Sequence, residues 1–185
     1  MTGRARRGCA RPGHRARRRL LIASFVLGAF IVASSVLFIW PASDQPRQVD
    51  AIVSLAGSNE VAREAKAISL AKQGYAHVLL FSQGAFHSQP CPKVPGVTVV
   101  CFEPVPGRTV GEVEWASRYA RKHGWHSLMI VPGRAQVTRA RLLIERCFPG
   151  RTVVVPAPVP LLQLPYEVVY EWGALTKALL VDRKC

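Results

Sequence analysis

The sequence lacks the motifs that define several common enzyme classes. Its 185 residues contain no GxxxxGK[ST] loop, no complete GxGxxG, no HExxH and no GxSxG. The first two motifs hold nucleotides, the third holds zinc beside a base, and the fourth presents a serine nucleophile. Their absence counts against nucleotide hydrolysis, hydride transfer, zinc proteolysis and standard serine-hydrolase chemistry.

Acidic residues are also absent from the N-terminus. Residues 1–19 hold eight arginines and no acid, whereas residues 41–185 hold the other 17 basic residues and all 11 acidic ones. The net charge of +14 therefore falls to +6 in the second region. A charge block beside an apolar run indicates membrane topology, so we expect no nucleic-acid partner.

The apolar run itself covers residues 20–40, which contain no charge and match the ~20 residues of a membrane-spanning helix. Trp40 and Pro41 fit its outer end, and the arginines fit its cytoplasmic end. A cleaved signal peptide is the alternative, but its apolar region is usually about 7 to 15 residues long and is followed by small residues. We therefore predict an uncleaved single-pass anchor in the cell membrane, with residues 1–19 cytoplasmic and residues 41–185 outside the cytoplasm.

Four of the five cysteines fall in the exported region, where disulfides are stable: Cys91, Cys101, Cys147 and Cys185. Three pairings are possible, and we expect Cys91 with Cys101, or Cys101 with Cys147. A zinc site at Cys91 and His87 lacks a second pair of ligands, so no metal is predicted.

A polar linker, residues 41–48, precedes a region in which short β-branched runs alternate with longer amphipathic stretches. This alternation predicts βαβ units in one α/β domain, residues 49–185, with a mostly parallel sheet of about five strands. The strands are expected at 50–55, 77–82, 97–102, 128–131 and 152–155, and the helices between 59 and 73, and at 109–123, 136–147 and 166–181. The proline-containing loop 85–96 is long enough to be functional.

Apolar spacing predicts which helix faces are buried. These faces are Val61, Ala65 and Ile68 in the first helix of the domain, Val137, Ala140, Ile144 and Cys147 in the third, and Val169, Trp172 and Leu179 in the last. Ser58 or Asn59 is expected to cap the first helix. Thr109 and Glu112 fit a capping box at the second.

The turns after the strands of a parallel sheet form its ligand-binding edge. They hold Gly57 and Ser58, then Ser82 and Gly84, then Arg108 and Thr109, and finally Arg134 and Arg139. Small residues, helix N-termini and arginines together predict a site for an anion such as phosphate. The alternative is that the glycines serve turns and the arginines are solvated. Glu112 is the candidate base.

Four segments carry a family resemblance: VDAIVSLAGS, HVLLFSQG, RTVGEVEWA and VPGRAQVTRARLLIERC. Their order resembles the YdcF/SanA/ElyC family over nearly all of residues 49–155. The resemblance implies a Rossmann-like three-layer sandwich, a membrane anchor as in several members, and a role in envelope or peptidoglycan-precursor homeostasis. The matching positions are Gly57, Arg63, Ser82, Gly84, Thr109, Glu112, Arg139 and Ala140.

The chain departs from the family pattern at three places. The glycine-rich stretch is Ala56-Gly57-Ser58, the SGG motif is Ser82-Gln83-Gly84, and Gln136 stands where the family has a histidine. If that histidine does chemistry, this chain retains only binding.

Three hypotheses follow. The first is an anchored extracytoplasmic domain that binds an anionic or phosphorylated envelope metabolite. The second is a non-catalytic structural or interaction module, which Gln136 favours. The third is a hydrolase or transferase acting on a phosphorylated wall precursor with Glu112 as its base. A nicotinamide or methyl-donor cofactor would fit such a fold, but a fold does not determine function.

Overall fold

The computed structural model describes residues 14–84, 91–183 and 185, which divide between two compact units, Met1–Ser34 and Ser35–Cys185. In the first unit, α1 (His14–Ser34) is a helix whose side chains are almost all exposed. A π-helical turn, Ser35–Ile39, continues it. His14–Ile39 is long and apolar enough to cross a membrane, as predicted.

The second unit contains a five-stranded, entirely parallel sheet. Its strands are β1 (Ala51–Ser54), β2 (Val78–Ser82), β3 (Thr98–Phe102), β4 (Ser127–Val131) and β5 (Arg151–Val154). Their order is β3-β2-β1-β4-β5, so β2 and β3 lie on one side of β1, and β4 and β5 lie on the other. The predicted α/β class and parallel sheet are confirmed.

The sheet is covered by α2 (Glu60–Lys72), α3 (Thr109–Lys122) and α4 (Val137–Cys147), and α5 (Leu164–Leu180) packs on α4. Because successive strand residues point to opposite faces, Ile52 and Met129 pack with α2, while Val53 and Ile130 pack with α3 and α4. These two cores make the three layers of a Rossmann-like sandwich.

The predicted buried face of α4 is confirmed, but that of α2 is right only at Ile68, which is partly buried against the core. Val61 is 80% exposed and Ala65 is exposed as well, whereas Arg63, Ala67 and Leu70 are buried. Apolar spacing missed this face because its first buried member is an arginine that points into a cavity.

The predicted face of α5 is right only at Trp172, which is partly buried and packs on Phe38. Val169 and Leu179 are exposed, and the buried side carries Glu167, Glu171 and Leu175. The helix turns two carboxylates inward, which a search for apolar residues cannot find.

The last turn of the apolar run, Ser35–Ile39, belongs to the second unit. Phe38 is fully buried beside Leu175 and meets the ring of Trp172 edge-on, with 5.3 Å between centroids. Beyond this turn, Asp44 lies along the edge strand β5, where it accepts a 2.8 Å hydrogen bond from the Val154 N–H. The segment from residue 35 to β1 is thus attached to the domain at several points.

Two disulfides are present, Cys91–Cys101 and Cys147–Cys185. The first was expected, but the pairing of Cys101 with Cys147 is wrong. Cys101 lies in β3 at one edge of the sheet, while Cys147 ends α4, which packs near β5 at the opposite edge. Within the predicted functional loop, residues 85–90, including His87, lie outside the described residues.

Candidate functional site

A cavity of about 430 Å³ opens at the carboxyl ends of the strands. Turns after β1 to β4 form its floor, and α5 closes one side. Its lining consists of Ala56, Gly57, Ser58, Glu60, Arg63, Gly84, Pro104, Gly107, Arg108, Thr109, Glu112, Gln136, Arg139, Tyr166, Glu167, Tyr170 and Glu171. The position agrees with the general rule for ligand sites in open parallel sheets.

Arg63 is a buried cation at this cavity, only 3% exposed. Its Nη1 donates to the carbonyls of Leu55 (3.2 Å) and Ala56, and its Nη2 reaches Ser58 Oγ at 3.4 Å. Its Nε has no hydrogen-bond partner, and no carboxylate in the described parts of the chain lies within 4.0 Å of the guanidinium. Burial lowers the pKa of Arg63, although nearby glutamates oppose that effect. The cavity therefore contains a guanidinium that is incompletely satisfied.

Two glycines make room for the Arg63 guanidinium because they have no side chain. A Cβ on Gly57 would lie 2.9 Å from Nη1, and a Cβ on Gly133 would lie 2.9 Å from Nη2. Gly57 also has a φ of 129°, which side chains rarely adopt. Gly57 and Gly133 thus set the position of the guanidinium between the turns after β1 and β4.

Arg139 is held by a buried ion pair. Its Nε and Nη2 donate to the two carboxylate oxygens of Glu171 at 2.8 and 2.7 Å, and its Nη1 donates to Thr109 Oγ1 at 2.7 Å. Burial alone would lower the pKa of Arg139, but the hydrogen bonds and charge of Glu171 outweigh it and raise that pKa. Arg139 therefore joins α4 to α5 and α3, and all three guanidinium nitrogens already have partners.

The Thr109 hydroxyl connects this network to the cavity. Its oxygen accepts hydrogen bonds from Arg139 and from Gln136 Nε2, both at 2.7 Å. Its own proton finds no acceptor within the described residues, so the hydroxyl can donate to a ligand. Gln136 is buried and orients Thr109.

Neither the predicted capping box of α3 nor the predicted side-chain cap of α2 forms. Thr109 is the first residue of α3 rather than its cap, and no side chain caps α3 or α2. The Asn59 side chain donates to the Pro158 carbonyl at 3.0 Å instead. Tertiary partners compete successfully for these side chains, which leaves the first-turn N–H groups of α3 without capping partners at the cavity wall.

Glu112 is the other residue of the expected box, and it is 2% exposed. Its Oε1 accepts a 2.6 Å hydrogen bond from the Ala56 N–H. Burial raises the pKa of Glu112, opposed by the Ser82 hydroxyl, the Ala56 N–H and the two buried arginines. Burial thus makes the charged form of this carboxyl less favourable than it would be in water.

Of the eight predicted ligand-binding residues, six line the cavity: Gly57, Ser58, Arg63, Gly84, Thr109 and Arg139. Ser82 is buried near Glu112, where its hydroxyl makes no hydrogen bond of normal geometry. Arg134 is exposed and lies outside the lining. The difference arises because Arg134 starts a 3₁₀ turn, Arg134–Gln136, that directs Gln136 inward instead.

Sequence reasoning missed the contribution of α5. Glu167 and Glu171 are both at most 5% exposed and line the cavity with Tyr166 and Tyr170. Two acids four residues apart in an otherwise apolar helix were the available signal. Their presence corrects the expected basic rim, because the lining contains Arg63, Arg108 and Arg139 but also four glutamates.

The pairing of these charges matters more than their sum. Arg139 is neutralised by Glu171, and Arg108 forms a 3.0 Å ion pair with Asp182. Arg63 and Glu167 form no ion pair in the parts of the chain that the structure describes. Within the described residues, the cavity thus offers the Arg63 guanidinium, the Glu112 and Glu167 carboxyl groups and the Thr109 hydroxyl, none of them in an ion pair.

The described residues contain no cluster of three or more His, Cys, Asp or Glu side chains suited to a metal ion. Comparisons with family models, with curated proteins and with solved structures find no match to this chain. The resemblance to the YdcF/SanA/ElyC family stays a prediction from the four segments.

Proposed function

We propose that this chain is a membrane-anchored, YdcF-like domain that binds a small anionic ligand, such as a phosphorylated envelope metabolite, in the cavity beside Arg63. The observation that carries the proposal is that the buried guanidinium of Arg63 lines the cavity with no carboxylate of the described residues within ion-pair distance. A buried charge without a partner is costly, and an anion in the cavity would supply that partner.

The N-terminus of α3 supports the same ligand chemistry. Thr109 begins this 14-residue helix at the cavity, and no side chain caps it. Free N–H groups and the positive end of the helix dipole both favour an anion. A phosphate between Arg63 and the start of α3 would receive hydrogen bonds from both.

The rest of the lining favours a ligand that also carries hydrogen-bond donors. Glu167 is buried without an ion pair and offers acceptor oxygens, while Tyr166 and Tyr170 offer ring faces. A simple inorganic anion would leave these groups unused. A phosphorylated compound with hydroxyl or amine groups would use them.

The two disulfides and the arginine-rich arm support an extracytoplasmic location for the domain. Disulfides persist in oxidising compartments. The positive-inside rule assigns residues 1–19 to the cytoplasm, and one span then carries residues 41–185 to the other side.

The experiment that tests the proposal follows thermal unfolding of the full-length chain in nanodiscs with pyrophosphate, sugar phosphates and the matching neutral sugars. A ligand at 100 times its Kd adds about 2.7 kcal/mol to the unfolding free energy. We expect stabilisation by a phosphorylated compound, its loss in Arg63→Met, and its retention in Arg118→Met, which removes an exposed arginine of α3. Equal stabilisation of both variants would contradict the role of Arg63.

A second candidate, hydrolysis or group transfer on the same ligand, is favoured by the raised pKa of Glu112. A protonated carboxyl at the cavity is suited to general acid catalysis. Turnover of the bound compound that is lost in Glu112→Gln, with binding retained, would support an enzyme. Binding without turnover would support a binding domain. The absence of both binding and turnover would support a structural or interaction module.

A further inference from the structure

The outward-facing side of α5 is apolar, in contrast to its interior side. Leu162, in the short turn before the helix, is 97% exposed, Leu161 is 81% exposed and Val169 is 74% exposed. Glu167 and Glu171 on the same helix are nearly fully buried. This arrangement is the reverse of an ordinary surface helix, in which charged residues face outward.

These exposed residues form one continuous surface, which we call the α5 outer face: Leu161, Leu162, Tyr166, Val169 and Leu180. Tyr166 and Val169 are three residues apart in the helix, and a stripe of exposed residues continues through Gly173 to Leu180. Among the charged residues of α5, only Lys177 is exposed. An apolar stripe of this extent on a folded domain indicates an interaction surface.

The residues at the end of the apolar run pack on the same helix. Phe38, in the last turn of the apolar run, packs on Trp172 of α5, and Trp40 follows two residues later. Leu162 precedes Trp172 by ten residues, or about 15 Å along a helix axis. The α5 outer face therefore begins within a short distance of the point where the chain leaves the apolar run.

We propose that the α5 outer face rests on the lipid surface next to the anchor. The composition fits the interfacial zone of a bilayer, with leucines to enter the acyl boundary, Tyr166 at headgroup level and Lys177 available to anionic headgroups. The inference depends on residues 20–40 being a membrane anchor, and is independent of the ligand in the cavity.

Lipid fits better than a second copy of the chain because of this connection. Phe38 packs on Trp172 and lies only four residues after Ser34, the last residue of α1, so in an anchored domain the chain enters the bilayer close in sequence to this contact. A second copy of the chain would have to compete with the bilayer for the same leucines.

The test uses nitroxide labels on the full-length chain in nanodiscs of phosphatidylcholine and phosphatidylglycerol. Cys9→Ser removes the cysteine outside the two disulfides, and Leu162→Cys or Val169→Cys then introduces one label site. Val61→Cys is the matched control, because Val61 is 80% exposed on α2 at the opposite face of the sheet. We expect a several-fold higher ratio of oxygen to nickel-complex collisions at residues 162 and 169 than at residue 61.

Two results would overturn the proposal. The first is an equally low ratio at all three sites, which would mean that the α5 outer face is in water. The second is protection that persists in detergent together with spin–spin coupling between labels at residue 162, which would identify a second copy as the occupant. Ligand-dependent thermal stabilisation, measured on the same samples, reports separately on the cavity.

Discussion

Arg63 and Arg139 are two buried arginines of the cavity that differ in their partners. Arg63 retains a free Nε, whereas Arg139 has a bidentate carboxylate and a hydroxyl as partners. Both arginines were predicted to bind the ligand, so sequence alone could not distinguish them. The distinction depends on Glu171, which lies 32 residues after Arg139 and becomes its neighbour only in the folded chain.

Glu112 leads to a prediction about pH. Its pKa is raised from the ordinary value of 4.5 because the carboxyl is buried. As pH rises above that value, the unfolded chain releases the proton first, so the wild-type chain loses stability until the folded pKa is passed. Glu112→Gln does not titrate, and its stability relative to wild type should therefore increase with pH, by about 1.4 kcal/mol per unit of pKa shift.

Urea denaturation of both chains between pH 4.5 and pH 8 measures this difference. Glu145→Gln removes the same charge from an exposed position on α4 and serves as the control. A constant difference between Glu112→Gln and wild type across this range would mean that Glu112 is ionised throughout.

At the scale of elements, α5 is attached to the rest of the domain by a charged contact. Arg139 of α4 and Glu171 of α5 form a buried ion pair, with side chains 9% and 2% exposed. Removing one partner leaves the other buried and unpaired, at a cost of about 3 to 5 kcal/mol. We expect this loss for Glu171→Ala and a smaller one for the double variant Arg139→Met/Glu171→Leu, measured by urea denaturation.

A double variant that is less stable than Glu171→Ala would contradict this expectation, because it would show that the ion pair stabilises the domain more than the apolar replacement does.

The same contact affects how ligand-binding data are interpreted. Arg139→Ala would lose binding by loosening α5 even if Arg139 never touches the ligand, so Arg63 is the cleaner position to test.

The elements themselves could largely be predicted from the sequence, and their burial only in part. All five strands and the four domain helices appear close to their expected bounds, because β-branched runs and amphipathic periods are local signals. The capping boxes and the faces of α2 and α5 could not be predicted, because Thr109, Glu112 and Glu171 have partners distant in sequence. The site was located by topology, and the two carboxylates that α5 contributes were missed for the same reason.

At the scale of the whole molecule, two disulfides and one N-terminal cysteine permit a direct test of topology. Cys9 lies in the arginine-rich arm, and the other four cysteines are paired. Without reductant, we expect intact cells to label the full-length chain once with a membrane-permeant maleimide and not with an impermeant one. Labelling by the impermeant reagent that is lost in Cys9→Ser would place the N-terminus outside.

The central claim is that Arg63 binds the anionic part of a ligand, and the most direct measurement is calorimetric titration of the full-length chain with the phosphorylated compound that stabilises it most. Gly133→Ala should displace the guanidinium, because its Cβ would lie 2.9 Å from Nη2. Gly173→Ala is the control, since nothing lies within 4 Å of the added Cβ.

A hydrogen bond to a charged group contributes about 1.5 to 3 kcal/mol. We therefore predict that Gly133→Ala weakens binding by roughly 10- to 100-fold while Gly173→Ala leaves it unchanged. Wild-type affinity in Gly133→Ala, with the domain folded, would contradict the assignment of Arg63 as the anion-binding residue.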